Sequence, residues 1–310
     1  MTNPITRFPL KHPHTAEKAL QAAIAVLVIL FGHSVQAESG NYVQEDPAVL
    51  RAVQEADELS KDEAVTLHQS GFRNTAQSRQ DHEEGSTVKQ SQNGSLNSAS
   101  ALQEYGTANT ISIFQVGTFN EATSRQTAST DSHTATRQGG FLNNASVEQE
   151  LGIGNHAVIL QRGEQNRSSV RQYNSFESLT WMEQNGNDNK ALAIQSGYGN
   201  LTSIDQAGDF NQSTNAQSGY THKIDSFQSG LGNQSSISQN DSYNAAGTIQ
   251  TGSFNSVTVE QAGSYGVGGS HHALAIQSGS LNAIGIHQQG NASTAIVSQS
   301  GYGNSVYLSH

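Results

Sequence analysis

The sequence predicts an all-β fold, a β-solenoid of about ten strand–arc–strand–arc coils of 22–23 residues. Three observations predict it: a glutamine that returns every 11 or 12 residues, an asparagine column in step with it, and a glycine at a fixed offset behind it. Composition points the same way. Apolar residues make up 34% of the 310-residue chain and charged residues 13%, with four Pro and 30 Gly. Such a chain cannot bury a thick aliphatic core, so a repetitive fold that pairs each backbone group with a neighbouring rung has to offset the conformational entropy.

The glutamine marker occupies 21 positions, among them Gln69, Gln80, Gln115, Gln161, Gln195, Gln206, Gln250, Gln261 and Gln299. Its steps alternate between 11 and 12 as far as Gln184 and are 11 thereafter, apart from one step of 16 across the Gly-rich stretch 263–272. Six residues before the marker stands Asn in 14 units, as at Asn74, Asn120, Asn166, Asn200, Asn211 and Asn255. Ser86, Ser132, Ser178 and Ser293 take that place in four more, and Glu63, His222 and His271 in the last three. Asn304 opens a final rung, Asn304, Val306, Leu308 and His310, in the same register.

Between the Asn and the Gln, alternate positions are small or β-favouring, as in Ile111 and Ile113 or Val257 and Val259. Strand side chains alternate with period two, so positions −6, −4, −2 and 0 share one face. We expect that face to point inward. A buried amide is costly when unpaired, but identical amides stacked about 4.8 Å apart bond along a ladder.

Glycine follows the marker by two residues in 15 units, including Gly71, Gly117, Gly163, Gly197, Gly208, Gly252 and Gly301. It supplies the positive φ that tight turns need. His82, Tyr105, Ala128, Leu151, Asn174 and Asp241 occupy the place in the other six, and the first five of these precede a 12-residue step. The expectation is that the extra residue relaxes those arcs, so that positive φ is needed only at the glycines.

The start of the chain reads differently. Arg7, Lys11 and Lys18, the apolar run Ala22 to Phe31, and Val35-Gln36-Ala37 have the pattern of an export signal over residues 1–37. Residues 38–62 form an acidic non-repeat segment in which Asp46-Pro47 precedes either a short helix over Ala48 to Leu59 or a disordered stretch. The repeat domain covers 63–310.

Several functions find little support. With no Cys, disulfide frameworks and thiolate chemistry are excluded. A formal charge of −11 argues against nucleic acid as a partner. Gly152-Ile153-Gly154-Asn155-His156-Ala157 fits a dinucleotide fingerprint on paper, yet Asn155 and Ala157 already belong to repeat columns. His271-His272 has metal-ligating chemistry, but neighbours on a strand face opposite sides. Asp81, Glu83 and Glu84 read as a solvated arc more readily than as a Ca²⁺ site. No nucleophile elbow is present, and no enzyme, metal or cofactor is expected.

The pattern Q-x-G-x-x-N with a second Gln six residues beyond the Asn, clear in QSGYGNLTSIDQ from Gln195 and QTGSFNSVTVEQ from Gln250, resembles the curlin repeat. The resemblance covers residues 63–310. It implies an exported subunit of curli-type amyloid fibres in biofilm matrix and adhesion. Its implied partners are further copies, a second curlin subunit, an outer-membrane secretion channel and periplasmic accessory proteins, at the surface of a Gram-negative cell. Glu58 to Gln80 is similar to the entry of a minor, nucleating curlin, whereas the ending QSGYGNSVYLSH is similar to the last repeat of a major one. The nucleating role is slightly favoured. The alternative function class is a soluble, monomeric solenoid serving as an adhesin or ligand-binding surface.

Overall fold

The computed structural model describes residues 51–56, 64–263 and 269–310. Every regular element among them is a β-strand, 23 in all. The strands form two parallel sheets. A 12-stranded sheet runs from Arg51–Ala56 and Thr75–Asp81 to Ser305–Ser309, and an 11-stranded sheet from Ala64–Phe72 to Thr294–Tyr302. The chain changes sheet at every arc, so each strand pairs with those one coil earlier and one coil later. This is the predicted β-solenoid.

Local sequence explains each strand. In Thr110–Thr118, Ile111, Ile113 and Gln115 are buried while the residues between them are partly exposed. The same alternation recurs down the stack, so the inner faces of the two sheets meet over a thin core of Ala, Val and Ile. Register is pinned by identity. Gln161 lies between Gln138 and Gln184, and Gly163 between Gly140 and Gly186. A slip of one residue would turn every inward side chain to solvent.

The marker offset is 23 residues from Gln161 to Gln184, 22 from Gln184 to Gln206, and 27 across the insertion from Gln250 to Gln277. The longer arcs of the first half are joined to one another by bridges from Glu84 through Thr107, Thr130 and Ile153 to Phe176. In the last strand Val306 and Leu308 are 40% and 39% exposed although they stand in inward columns, since no strand lies beyond it among the described residues.

The acidic segment departs from expectation. Arg51–Ala56 is neither helical nor irregular but a strand, paired with Thr75–Asp81 from Arg51↔Thr75 to Ala56↔Gln80. A parallel edge offers a row of unpaired N–H and C=O groups, and those bonds outweigh the helix propensity of an Ala- and Glu-rich stretch. The register sets Ala52, Gln54 and Ala56 level with Ala76, Ser78 and Gln80. The expected export signal, 1–37, and Glu63 lie outside the described residues.

Candidate functional site

The feature the fold builds most consistently is a pair of glutamine ladders. In the 11-stranded sheet Nε2 of each marker donates to Oε1 of the next, from Gln69 through Gln115, Gln161, Gln206 and Gln250 to Gln299, over 2.6–3.2 Å. In the other sheet the run goes from Gln80 through Gln195 and Gln261 to Gln288 over 2.7–3.1 Å. Every bond points toward the C-terminus. The second amide hydrogen crosses the core to a backbone carbonyl of the opposite sheet, as from Gln115 to Ser98 at 2.9 Å or Gln206 to Lys190 at 3.0 Å. Amides so paired avoid the desolvation penalty of a buried polar group. All the marker glutamines named above are buried except Gln69, which is half-buried.

At the other end of each strand of the 12-stranded sheet stands asparagine without exception from Asn74 to Asn304. Both the backbone N–H and Nδ2 of one Asn donate to Oδ1 of the preceding one, as from Asn120 to Asn97, Asn211 to Asn189, and Asn304 to Asn282. Nδ2 also donates to the carbonyl of the turn glycine one coil on, as from Asn74 to Gly94, Asn166 to Gly186 and Asn255 to Gly279. Asparagine and glycine columns are thus one device. The side chain reaches an inward carbonyl that the glycine backbone turns toward it. Asn200, in the other corner, does the same more loosely: its Nδ2 reaches the Gly219 carbonyl at 3.4 Å and its Oδ1 accepts from the N–H of His222. Asn304 keeps the register but is exposed.

The glycine expectation needs correction. Fourteen of the fifteen glycines, Gly71, Gly117, Gly163, Gly197, Gly208, Gly252 and Gly301 among them, do have φ between 93° and 126°, and Gly263 does not. The residues that replace glycine also have positive φ: 53° at His82, 59° at Tyr105, 48° at Ala128, 54° at Leu151, 46° at Asn174 and 78° at Asp241. The longer arc does not abolish positive φ. It lowers φ to the left-handed helical well, which L-residues can enter at a cost, whereas φ near 110° is open to glycine alone. Crowding adds to this. A Cβ on Gly208 would stand 2.2 Å from the carbonyl oxygen of Gly230.

The corner ahead of the 11-stranded sheet follows its own rule. In the first half it alternates Ser and Asn: the N–H of Asn109 donates to Ser86 Oγ, that of Ser132 to Asn109 Oδ1, and that of Asn155 to Ser132 Oγ. The arc residue three places earlier alternates with it. Gly106 and Gly152 precede Asn109 and Asn155, and a Cβ on either would lie 2.3 and 2.1 Å from the Asn Nδ2. Glu83, Ser129 and Ser175 precede Ser86, Ser132 and Ser178. Glu83 is therefore not part of a solvated arc. It is 1% exposed, and its Oε2 accepts from Ser86 Oγ at 2.6 Å and Asn109 Nδ2 at 3.1 Å.

Histidine continues this column. His222 accepts the N–H of Asn244 at Nδ1 (3.3 Å) and, with its proton on Nε2, donates to the Ser218 carbonyl (3.1 Å). Burial lowers its pKa below the ordinary value, against smaller opposing effects of the Ser218 carbonyl and Asp241. His271 is buried in the same column beside Ser293, while His272 opens a strand on the outside.

Sequence reasoning missed a second left-handed column, the residue just before the Asn or Ser. Leu96, Phe119, Leu142, Gln165 and Phe210 all have φ of 56–58°. Only Gly85, Gly154, Gly199, Gly232 and Gly303 hinted at it. No protein-family model matches the chain, and no curated protein matches it significantly. Chemically, the arrangement offers a template. Each rung presents amide donors on one side and acceptors on the other, spaced to receive another rung of the same kind.

Proposed function

We propose that the chain is an exported structural subunit that assembles rung on rung into curli-type surface fibres, as nucleator or as fibre-forming component, and has no catalytic role. The observation that carries this reading is the pair of unbroken glutamine ladders. Inside one molecule they require each coil to be complementary to a near-copy of itself, and a coil of a second molecule meets the same requirement. The likeness of Q-x-G-x-x-N repeats to curlin repeats supports the same function, with biofilm matrix and adhesion as its setting. On this reading the partners are further copies, a second curlin subunit, and the secretion channel and periplasmic factors that keep such a subunit unfolded in transit. The test uses purified protein from residue 38 onward. We expect conversion from monomer to Congo red-binding fibres, with fibre diffraction near 4.8 Å along the axis. A chain that stays monomeric by sedimentation while fully β by circular dichroism would instead be a soluble solenoid adhesin.

A further inference from the structure

Two histidines that take no part in the ladders stand side by side on the outside of the 11-stranded sheet. His133 opens the strand His133–Phe141 and His156 opens His156–Glu164, and the two are paired directly in register. Their rings are stacked, with centroids 4.9 Å apart and planes 12° apart, and both are half-buried. The repeat does not require them, for the coils on either side carry Thr110 and Leu179 at the same place. The next outward positions are the short Ala135 and Val158, which leave the rings uncovered along the strand. The inner edge of the His133 ring is closed, and its enclosed Nδ1 has no hydrogen-bond partner. Nε2 is therefore the nitrogen that His133 has left for a ligand.

We propose that His133 and His156 together bind one divalent transition-metal ion of the imidazole-preferring class, Cu²⁺ most tightly, then Ni²⁺ and Zn²⁺. Imidazole nitrogen suits these ions and not the oxygen-seeking Ca²⁺ or Mg²⁺. Nitrogens held about 2.0–2.1 Å from one ion lie roughly 3 Å apart. Two stacked rings reach that spacing by tilting about their own side-chain torsions, while the paired strands keep their roots in place. Neutral imidazole, the form an ordinary histidine takes above about pH 6.5, is what coordinates metal. No group of three or more His, Cys, Asp or Glu converges among the described residues, so water completes the coordination sphere. The site is accordingly of moderate affinity, exchangeable and acid-labile.

The test is titration of the full chain with CuCl₂ at pH 7.5, followed by electron paramagnetic resonance and calorimetry. The chain has 12 His, so the deciding signal is two equivalent imidazole nitrogens on one copper ion. His133→Thr and His156→Thr install the residue that Thr110 already provides in this column, and circular dichroism checks that each folds. We expect each variant to lose the two-nitrogen signal and at least tenfold in affinity for that site, and pH 5.5 to release the ion from the unaltered chain. As a check independent of substitution, Zn²⁺ should protect two histidines of the unaltered chain from carbethoxylation. Retention of signal and affinity in both variants, or absence of any two-nitrogen site in the unaltered chain, would overturn the assignment.

Discussion

Adding one methyl group at Gly208 should damage the solenoid far more than removing one at Ala128. Both residues hold the second place after a marker glutamine, and both have positive φ, 105° and 48°. At Gly208 an added Cβ meets the Gly230 oxygen at 2.2 Å, its carbon at 3.0 Å and its nitrogen at 3.1 Å, all backbone, with no side chain to swing away. Relief requires the coils of Gly208 and Gly230 to separate locally by about 1 Å, which strains the bond from Asn211 Nδ2 to the Gly230 carbonyl, now 3.0 Å, and the adjacent strand bonds. Loss of about two hydrogen bonds at ~1 kcal/mol each, with ~1–3 kcal/mol of backbone strain, gives roughly 3–5 kcal/mol for Gly208→Ala. Ala128→Gly relieves a left-handed strain of about 1–2 kcal/mol while adding about 0.5–1 kcal/mol of unfolded-chain entropy, so it should be neutral or slightly stabilising. Ala128→Val remains tolerable by comparison with Gly208→Val, because φ near 50° is strained for a branched residue but not closed to it. The assay is the guanidinium midpoint of the full chain followed by far-ultraviolet circular dichroism. Equal midpoints for Gly208→Ala and Ala128→Gly would refute the distinction between the two kinds of arc.

Three further outcomes are expected. Asn215 is fully buried at an inward position between Ala193 and Ile237, and neither its Oδ1 nor its Nδ2 has a partner; Asn215→Val should therefore raise stability by about 1–3 kcal/mol in the same denaturation assay. The folded-state pKa of His222 lies below its unfolded value, so its contribution is fully present above about pH 6.5 and is lost as pH falls through the folded-state pKa. Protonated Nδ1 would face the Asn244 N–H as a second donor, and His222→Asn should flatten the pH–stability profile between pH 7 and 5. Gln206→Glu puts a carboxylate between Gln184 and Gln228 and removes the donor to Gln228 Oε1; it should destabilise at pH 7 and recover part of the loss near pH 4, where a protonated acid donates again. A flat pH response of that variant would mean that the position is wetter than its burial indicates.

The parts of this fold legible in the sequence are those in which chemistry demands identity. A glutamine can extend a ladder only onto another amide, so Gln115, Gln138 and Gln161 keep phase, and Asn74 to Asn304 do so for the same reason. The left-handed residue before each Asn was illegible because its side chain points away from neighbouring backbone: Phe119, Gln165 and Asp188 share the conformation with Gly232. The strand Arg51–Ala56 was hidden because its signal lies in the edge it joins and not in its own residues. Ala128 is a misleading signal because the absence of glycine there marks only a milder positive φ and not its loss.

The alternation of Gly106–Asn109, Ser129–Ser132, Gly152–Asn155 and Ser175–Ser178 gives the first half of the solenoid a parity. Odd and even coils there are different parts, one with a large corner residue and a hollow arc, the other with a small corner residue and a filled arc. Loss of a single coil would set two like arcs against each other, leaving hollow on hollow or filled on filled. Loss of two would restore the alternation. The second half, with its shorter arcs from Gln184 onward apart from the one insertion before Gln277, carries no such constraint beyond its histidine substitutions. Changes in the length of this protein should therefore come in pairs of coils on one side of Gln184 and in single coils on the other.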